Sequence, residues 1–427
     1  MKTAEVIGKA LTGLAACLAV NAFSEGPAIT DVKVRQRWPW SRLVDINYVL
    51  ECGDTNSVCV TVTGYSGATR LNLPLASLSG DLFSVSGGVR RIVWDPMKTG
   101  YTNEIMPWFR VELTPTDVPL YMIVNLTADA GATNQIEYVY EAELVTNKWG
   151  SWARNPVTNN GIPVASVIWT GVTNDPIYKT DKLVLRRVPA GTFMMGAGSG
   201  TKAIKLTKDY YASVFELTRM QWYRVAGGTA PAVADQGKPQ GAVSYYDLRE
   251  DPGNADDPDI NWPATGYTVA PDSFMGKLRD KVGIGGFDLP TEAQWEYLCR
   301  AGTTTDFNSG EMWSADYTNT VNQLAWWKVN GGSTLHTVGE KRPNAWGLYD
   351  THGNVWEWCL DWYTNALVAA TDPAGPGTSS EVPPTRVRRG GGPWDDAFWQ
   401  QSGSLTKDGR PDARIADRGI RLVWTLP

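Results

Sequence analysis

Residues 344–363 read NAWGLYDTHGNVWEWCLDWY, with Trp346, Trp356, Trp358 and Trp362 threaded among Asp350, Glu357 and Asp361. Carboxylates at turns can accept backbone N–H groups, ligate a hard cation or move protons. Other reactive side chains are scarce: the cysteines stand at 17, 52, 59, 299 and 359, and the histidines are His336 and His352. A histidine at a polar turn without further ligands beside it is a poor metal centre, so both are expected to be solvated or hydrogen-bonded. No serine sits in a nucleophile-elbow pattern. Asp395 and Asp396 are adjacent in sequence, which sets no spacing across a cleft. No complete catalytic set is legible from residue types alone.

The elements that must position these groups are short. A chain of 427 residues exceeds one ordinary core, and 43 Gly, 26 Pro and 20 Trp favour many small elements joined by turns. A net charge of −6 without a long basic run leaves no electrostatic footprint for nucleic acid. Lys2 and Lys9 precede the run ALTGLAACLAVNAF, and Val20-Asn21-Ala22 has the small-residue pattern of a cleavage site, so residues 1–22 are expected to be a signal peptide and the protein to be exported: periplasmic, cell-surface or secreted. Leu14-Ala15-Ala16-Cys17 resembles a lipobox, which would put a lipid anchor on Cys17, although the apolar run continues past it. No later stretch is long and apolar enough for a membrane span.

From residue 28 to 116, VDINYVLE, VCVTVTGY, RRIVWD and WFRVELTP alternate as strands between turn clusters and predict an all-β sandwich, with an immunoglobulin-like arrangement as one form of it. Cys52 and Cys59 flank one of its loops, where an exported protein could place a hairpin disulfide or two small apolar side chains. Residues 117–182 hold YMIVNLTA, QIEYVYEAEL and ASVIWTGV, a β-rich connector or extension. Residues 183–427 form the remaining domain. In it TEAQWEYLCR, with Thr291 at its head, reads as a capped amphipathic helix, and little else looks helical.

That last region carries LVLRRVPAGTFMMG, YYASVFELTRMQWYRV, GAVSYYDLRE, LPTEAQWEYLCRAGT, the 344–363 block, RVRRGGGPW and PDARIADRGIRLVW. In order and content these blocks resemble the formylglycine-generating enzyme family, the sulfatase-modifying factors. The resemblance implies an α+β domain, a variant of the C-type lectin fold, held by bulky side chains. The four tryptophans of the 344–363 block then read as core. It also implies one structural calcium, with Asp350 and Glu357 as side-chain ligands and Gly353 and Val355 as carbonyl ligands. A second family calcium site would lie in LAWWKVNGGSTLHTVGEKRPN, which offers no acid before Glu340.

The family's oxidase chemistry uses copper and two cysteines just after the Arg-Gly-Gly motif. Counting from Arg389-Gly390-Gly391 places those positions near Asp395 and Gln400, and counting back from Pro411-Asp412 places them near Pro393 and Phe398. No cysteine follows Cys359. No copper is therefore expected, and with two histidines in the chain no iron. The segment that meets substrate in the enzymes holds Trp394, Asp395, Asp396, Phe398, Trp399, Arg410, Arg414 and Arg418, residue types suited to a protein or glycan ligand. The sequence thus favours a ligand-binding or display module, with an enzyme using other residues of the same cleft as the alternative.

Overall fold

The computed structural model describes residues 26–426, leaving out 38–39, 53–56, 102–105, 107, 160–161, 250–267, 313–316, 333 and 407–408. The signal peptide and Cys17 lie outside the described residues.

The N-terminal unit contains β1 (Ala28–Gln36), β2 (Val44–Glu51), β3 (Cys59–Ser66), β4 (Thr69–Leu71), β5 (Leu78–Gly80), β6 (Gly88–Trp94) and β7 (Phe109–Thr116). They form two sheets, ordered β1-β2-β6-β5 and β4-β3-β7. In β2 the buried positions Val44, Ile46, Tyr48 and Leu50 alternate with more open ones, because one face of the strand meets the core and the other does not. Val58, Val60, Ile92 and Trp94 fill the same core, and Trp94 stacks on Phe109 at 5.2 Å. The exposed strand β1 carries Asp31, Lys33 and Arg35, with a bulge between Thr30 and Lys33. Charges and a bulge blunt an edge strand against pairing with another chain.

The expected hairpin disulfide is corrected here: Cys52 and Cys59 are not joined. Cys52 follows β2 in one sheet and Cys59 opens β3 in the other, where its thiol lies near Ser84 and the Arg187–Asp209 pair.

The next two strands, β8 (Tyr121–Asn125) and β9 (Ile136–Val139), come from the segment read as a connector. They pair into the sheet that also contains Lys182–Val188, Tyr210–Ser213, Val423–Thr425 and Phe287–Asp288. Tyr121, Met122, Ile123 and Val124 are all buried, as expected of a strand covered on both faces. A short helix, α1 (Glu141–Val145), replaces strand in YEAELV.

The C-terminal region is mixed α+β, mostly strand with few helices. These are α2 (Arg219–Ala226), α3 (Tyr245–Leu248), α4 (Phe274–Val282), α5 (Glu292–Arg300) and α6 (Tyr317–Leu324) among the described residues. Helix α5 begins as expected: Thr291 and Gln294 form a capping box. Helix α4 shows what the sequence reading missed. Phe274, Met275, Leu278 and Val282 bury one face, Ser273 caps the N-terminus and Gly283, at φ +68°, ends it.

Trp356–Trp362 is buried at every position, pairing with Arg386–Arg389 on one side and Arg418–Gly419 on the other. All four tryptophans of the 344–363 block are core, at 4% exposure or less. No helix among the described residues is long and apolar enough to cross a membrane.

Candidate ligand cleft and the buried carboxylates

Glu357 is fully buried, and Arg421, equally buried, reaches it with two nitrogens: Nη2 donates to Oε1 at 2.8 Å and Nε to Oε2 at 3.0 Å. Trp295 Nε1–H donates to Oε2 at 2.5 Å. Arg421 is locked in turn, donating to the carbonyls of Ser213 at 2.8 Å and Tyr349 at 2.7 Å. Burial raises Glu357, against which the Arg421 guanidinium works. A planar fork on a carboxylate is the strong form of this pair.

Asp350 sits at φ +55° and accepts from Gly339 N at 2.6 Å through Oδ2, whereas its Oδ1 is buried without a hydrogen bond. Burial pushes Asp350 up to about 6. Between the two acids, Glu216 accepts from Val355 N at 3.0 Å and Asn354 Nδ2 at 2.7 Å, and burial, with Asp350 and Glu357 nearby, raises it well above the usual carboxylate range.

This arrangement tests the calcium set. The Asp350 Oδ1 atom is a free acceptor, but both Glu357 oxygens are already engaged by a guanidinium and an indole N–H. A dication needs six to eight oxygens and tolerates no cation in its first shell. Asp350, Gly353, Val355 and Glu357 as arranged do not fit calcium, and no cluster of three metal-ligating side chains occurs among the described residues.

His352 is buried rather than solvated: its Nδ1–H donates to Gln400 O at 2.5 Å, and burial lowers it to about 4. His336 is half-buried and stacks on Trp326 at 3.8 Å.

The second group of expected site residues follows the strand Arg386–Arg389. Arg389 is anchored on Glu292 and Glu296 from α5. Gly390 and Gly391 then take φ +101° and +78°, which side-chain-bearing residues rarely adopt, and the chain turns out of the sheet. A Cβ at Gly391 would come within 2.6 Å of Gln400, so glycine also permits the close packing.

Beyond this turn the expected residues diverge. Trp394 is 39% exposed and Phe398 52%. Trp399 is half-buried, edge-on to Trp356 at 6.0 Å and Phe398 at 5.1 Å. Asp395 accepts from Trp356 Nε1 at 2.7 Å and Gly392 N at 2.9 Å, and Asp396 meets Lys328 at 2.9 Å. Arg410 pairs with Asp412 and Arg414 with Asp247, both at 2.6 Å and both exposed. Arg418 is corrected: at 4% exposure it lies inside, beside the Trp358 ring, because its strand pairs with Trp356–Glu357.

Trp394 is the expected residue that lines a cleft, of about 520 Å³. Ala416 lines it as well. Arg219, Trp222 and Tyr223 from α2 line the same cleft, together with Gln240, Thr334 and Leu335. Positions i, i+3 and i+4 share a helix face, which is how α2 presents all three to the cleft. Thr218 and Gln221 form the capping box that fixes the start of α2, and Trp222 is backed by Phe274 at 4.5 Å in near-parallel stacking. Sequence reasoning missed these α2 residues, although the spacing Arg-Xaa-Xaa-Trp-Tyr behind a Thr cap carried the signal.

Residues 172–426 match the Sulfatase-modifying factor enzyme 1-like domain, FGE-sulfatase. The chain is 25% identical over 286 residues to the protein named Chaperone protein LppX of Paenibacillus barcinonensis, a match covering 57% of this chain and 89% of that one. It is 38% identical over 120 residues to the formylglycine-generating enzyme of Streptomyces coelicolor, covering 25% of this chain and 36% of the enzyme. The match to that enzyme therefore spans little more than a third of its length. Among solved structures, Treponema denticola variable protein 1 aligns with a TM-score of 0.44 and 25% identity, over 57% of this chain and 95% of that chain. Since the domain match takes in more than half of the chain, the protein belongs to the FGE-sulfatase family of sulfatase-modifying factor domains.

Proposed function

We propose that this is an exported ligand-binding protein whose family domain, a variant of the C-type lectin fold, holds a protein or glycan ligand in the cleft between α2 and Trp394. The observation that carries the reading is the cleft itself: two aromatic residues of α2 and Trp394 line the same volume of about 520 Å³. Aromatic side chains give large contact area at small entropic cost, and Arg219 adds a planar donor at the rim. Phe398, in the same segment, is also exposed, and exposed apolar surface gathered into a patch usually marks interaction.

Copper-dependent oxidation is not part of this reading, because Pro393, Asp395, Phe398 and Gln400 stand where the family's thiols are expected and no cysteine follows Cys359. The name of the relative Chaperone protein LppX supports binding rather than turnover. Nor does the reading need calcium at Glu357, whose oxygens Arg421 and Trp295 engage.

Two measurements test it. Co-expression with a Cys-Xaa-Pro-Xaa-Arg peptide should leave the cysteine unmodified by mass spectrometry, and an aldehyde product would refute the loss of oxidase chemistry. Ligands selected from a displayed peptide library or a glycan array should lose affinity on Trp394→Ala or Tyr223→Ala. Retained affinity in both variants would move the ligand out of the cleft.

A further inference from the structure

A second cleft, of about 250 Å³, lies at the seam between the two-sheet N-terminal unit and the sheet containing β8 and β9. We propose that it binds a small, neutral aromatic molecule carrying a hydroxyl or N–H group. The seam is not merely a place where the units fail to meet. Phe83 packs edge-on to Trp424 at 5.0 Å, Ser84 Oγ donates to Asp209 at 2.9 Å, and Gln135 Nε2 donates to Lys281 O at 2.8 Å. The first two contacts join the units beside the cleft, the third ties the β8–β9 turn to α4 within the second unit, and ligand sites favour such domain seams.

The size and chemistry of the walls select the ligand. An apolar cavity of about 150 Å³ is enough for benzene, so this volume of about 250 Å³ takes one ring with a short polar substituent. Val60, Val62 and Leu73 supply one wall and Ile136 the other, while Phe83 and Tyr138, 6.4 Å apart and edge-on to one another, offer ring contacts. None of the described residues lining the cleft is charged. An ionic ligand would lose its hydration without gaining a partner, which is costly.

One end is polar. The Thr116 hydroxyl lies beside that of Tyr140, yet is buried without a hydrogen bond of normal geometry. A buried polar group left so is destabilising, which a ligand hydroxyl would relieve. The Cys59 thiol also lines the cleft, and burial pushes it up to about 12, so it stays neutral at physiological pH. Hydroxyls, a thiol and aromatic edges without charge match a phenol- or indole-like molecule.

The test is a ligand-observed ¹⁹F NMR titration of the full chain with 4-fluorophenol, with fluorobenzene and 4-fluorobenzoate as probes lacking the hydroxyl and carrying a charge. The wild type should broaden the 4-fluorophenol signal saturably, bind fluorobenzene more weakly and ignore 4-fluorobenzoate. Tyr140→Phe should weaken 4-fluorophenol about fivefold, the size of one neutral hydrogen bond, and leave fluorobenzene unchanged. Filling the mouth with Ala132→Trp should abolish binding of both. If that variant loses the wild-type circular dichroism, Thr133→Trp at the exposed rim replaces it. Absence of saturable broadening, equal binding of 4-fluorobenzoate, or full binding by a folded mouth-filled variant would each overturn the proposal.

Discussion

The 344–363 block and the 389–418 segment are built from the same ingredients, indole, carboxylate and basic or turn residues, yet the first lies inside the molecule and the second divides between core and surface. Backbone pairing separates them. Trp356–Trp362 is an interior strand, paired with Arg386–Arg389 and, at Trp356–Glu357, with Arg418–Gly419, and is buried at every position. After Gly390 and Gly391 the chain leaves the sheet, and Trp394 meets solvent and the α2 cleft. Composition alone does not distinguish a core indole from a binding indole; the partners of its backbone do.

The largest effect should come from breaking the interior of the first region. Arg421→Ala leaves Glu357 buried and uncompensated, which typically costs about 3–5 kcal/mol, or roughly 10 °C in melting temperature for a domain of this size. Trp358→Ala should cost a similar amount, about 3–5 kcal/mol, through the cavity it leaves. Chelator should leave the wild-type melting temperature unchanged, since Arg421 rather than a metal ion neutralises Glu357. Differential scanning calorimetry checks all three. An Arg421→Ala variant as stable as wild type, together with a chelator-sensitive wild type, would put a cation back at Asp350 and Glu357.

A second, smaller effect tests how deeply the acids of this block are buried. Asp361 is pushed up to about 7, first by burial and then by the nearby Glu292. Its folded value therefore lies above the unfolded value near 4. Below about pH 4 both states are protonated. As pH rises towards 7 the unfolded chain releases its proton first, so this group's contribution to stability is lost with rising pH. Asp361→Asn keeps an oxygen able to accept from Glu292 N, which Asp361 Oδ2 meets at 2.6 Å, and removes the charge. The variant should melt a few degrees above wild type at pH 8 and lose that advantage at pH 5. A constant difference across this range would show that Asp361 does not titrate there.

How much of this was legible depends on whether periodicity or tertiary pairing decides. The alternation in VDINYVLE and the cap-plus-apolar pattern of TEAQWEYLCR located β2 and α5 from local physics, since each carries its own burial face. YMIVN was legible as a strand, but its place in the C-terminal sheet was not, because a strand covered on both faces does not name its neighbours. The same limit hid the site. Arg418 and Arg414 look equivalent in PDARIADRG, yet pairing with Trp356–Glu357 draws Arg418 inside while Arg414 stays out against Asp247. Arg421, the partner of Glu357, lies 64 residues away in the chain, so no local pattern could link them. Trp394 stands outside any periodic element, which singled it out as a candidate; Trp222 and Tyr223 were passed over because they stand inside one.

The smallest effect on stability should fall at Trp394, and its smallness sharpens the contrast. Trp394 is 39% exposed and the described structure gives its ring no aromatic partner, whereas Trp399 packs against Trp356 and Phe398. Surface substitutions away from caps, cores and strained positions usually change stability by no more than about 0.5 kcal/mol, so Trp394→Ala should leave the melting temperature within about 2 °C of wild type. Trp399→Ala removes a half-buried indole from an aromatic cluster and should lower it measurably more. Binding should order the two differently: truncating a hot-spot residue costs about 2 kcal/mol or more, roughly thirtyfold in Kd, and that loss belongs to Trp394 because its side chain lines the cleft. If Trp399→Ala abolishes binding at unchanged stability while Trp394→Ala does neither, the ligand sits on the Phe398–Trp399 face, and the α2 cleft is a surface feature without that ligand.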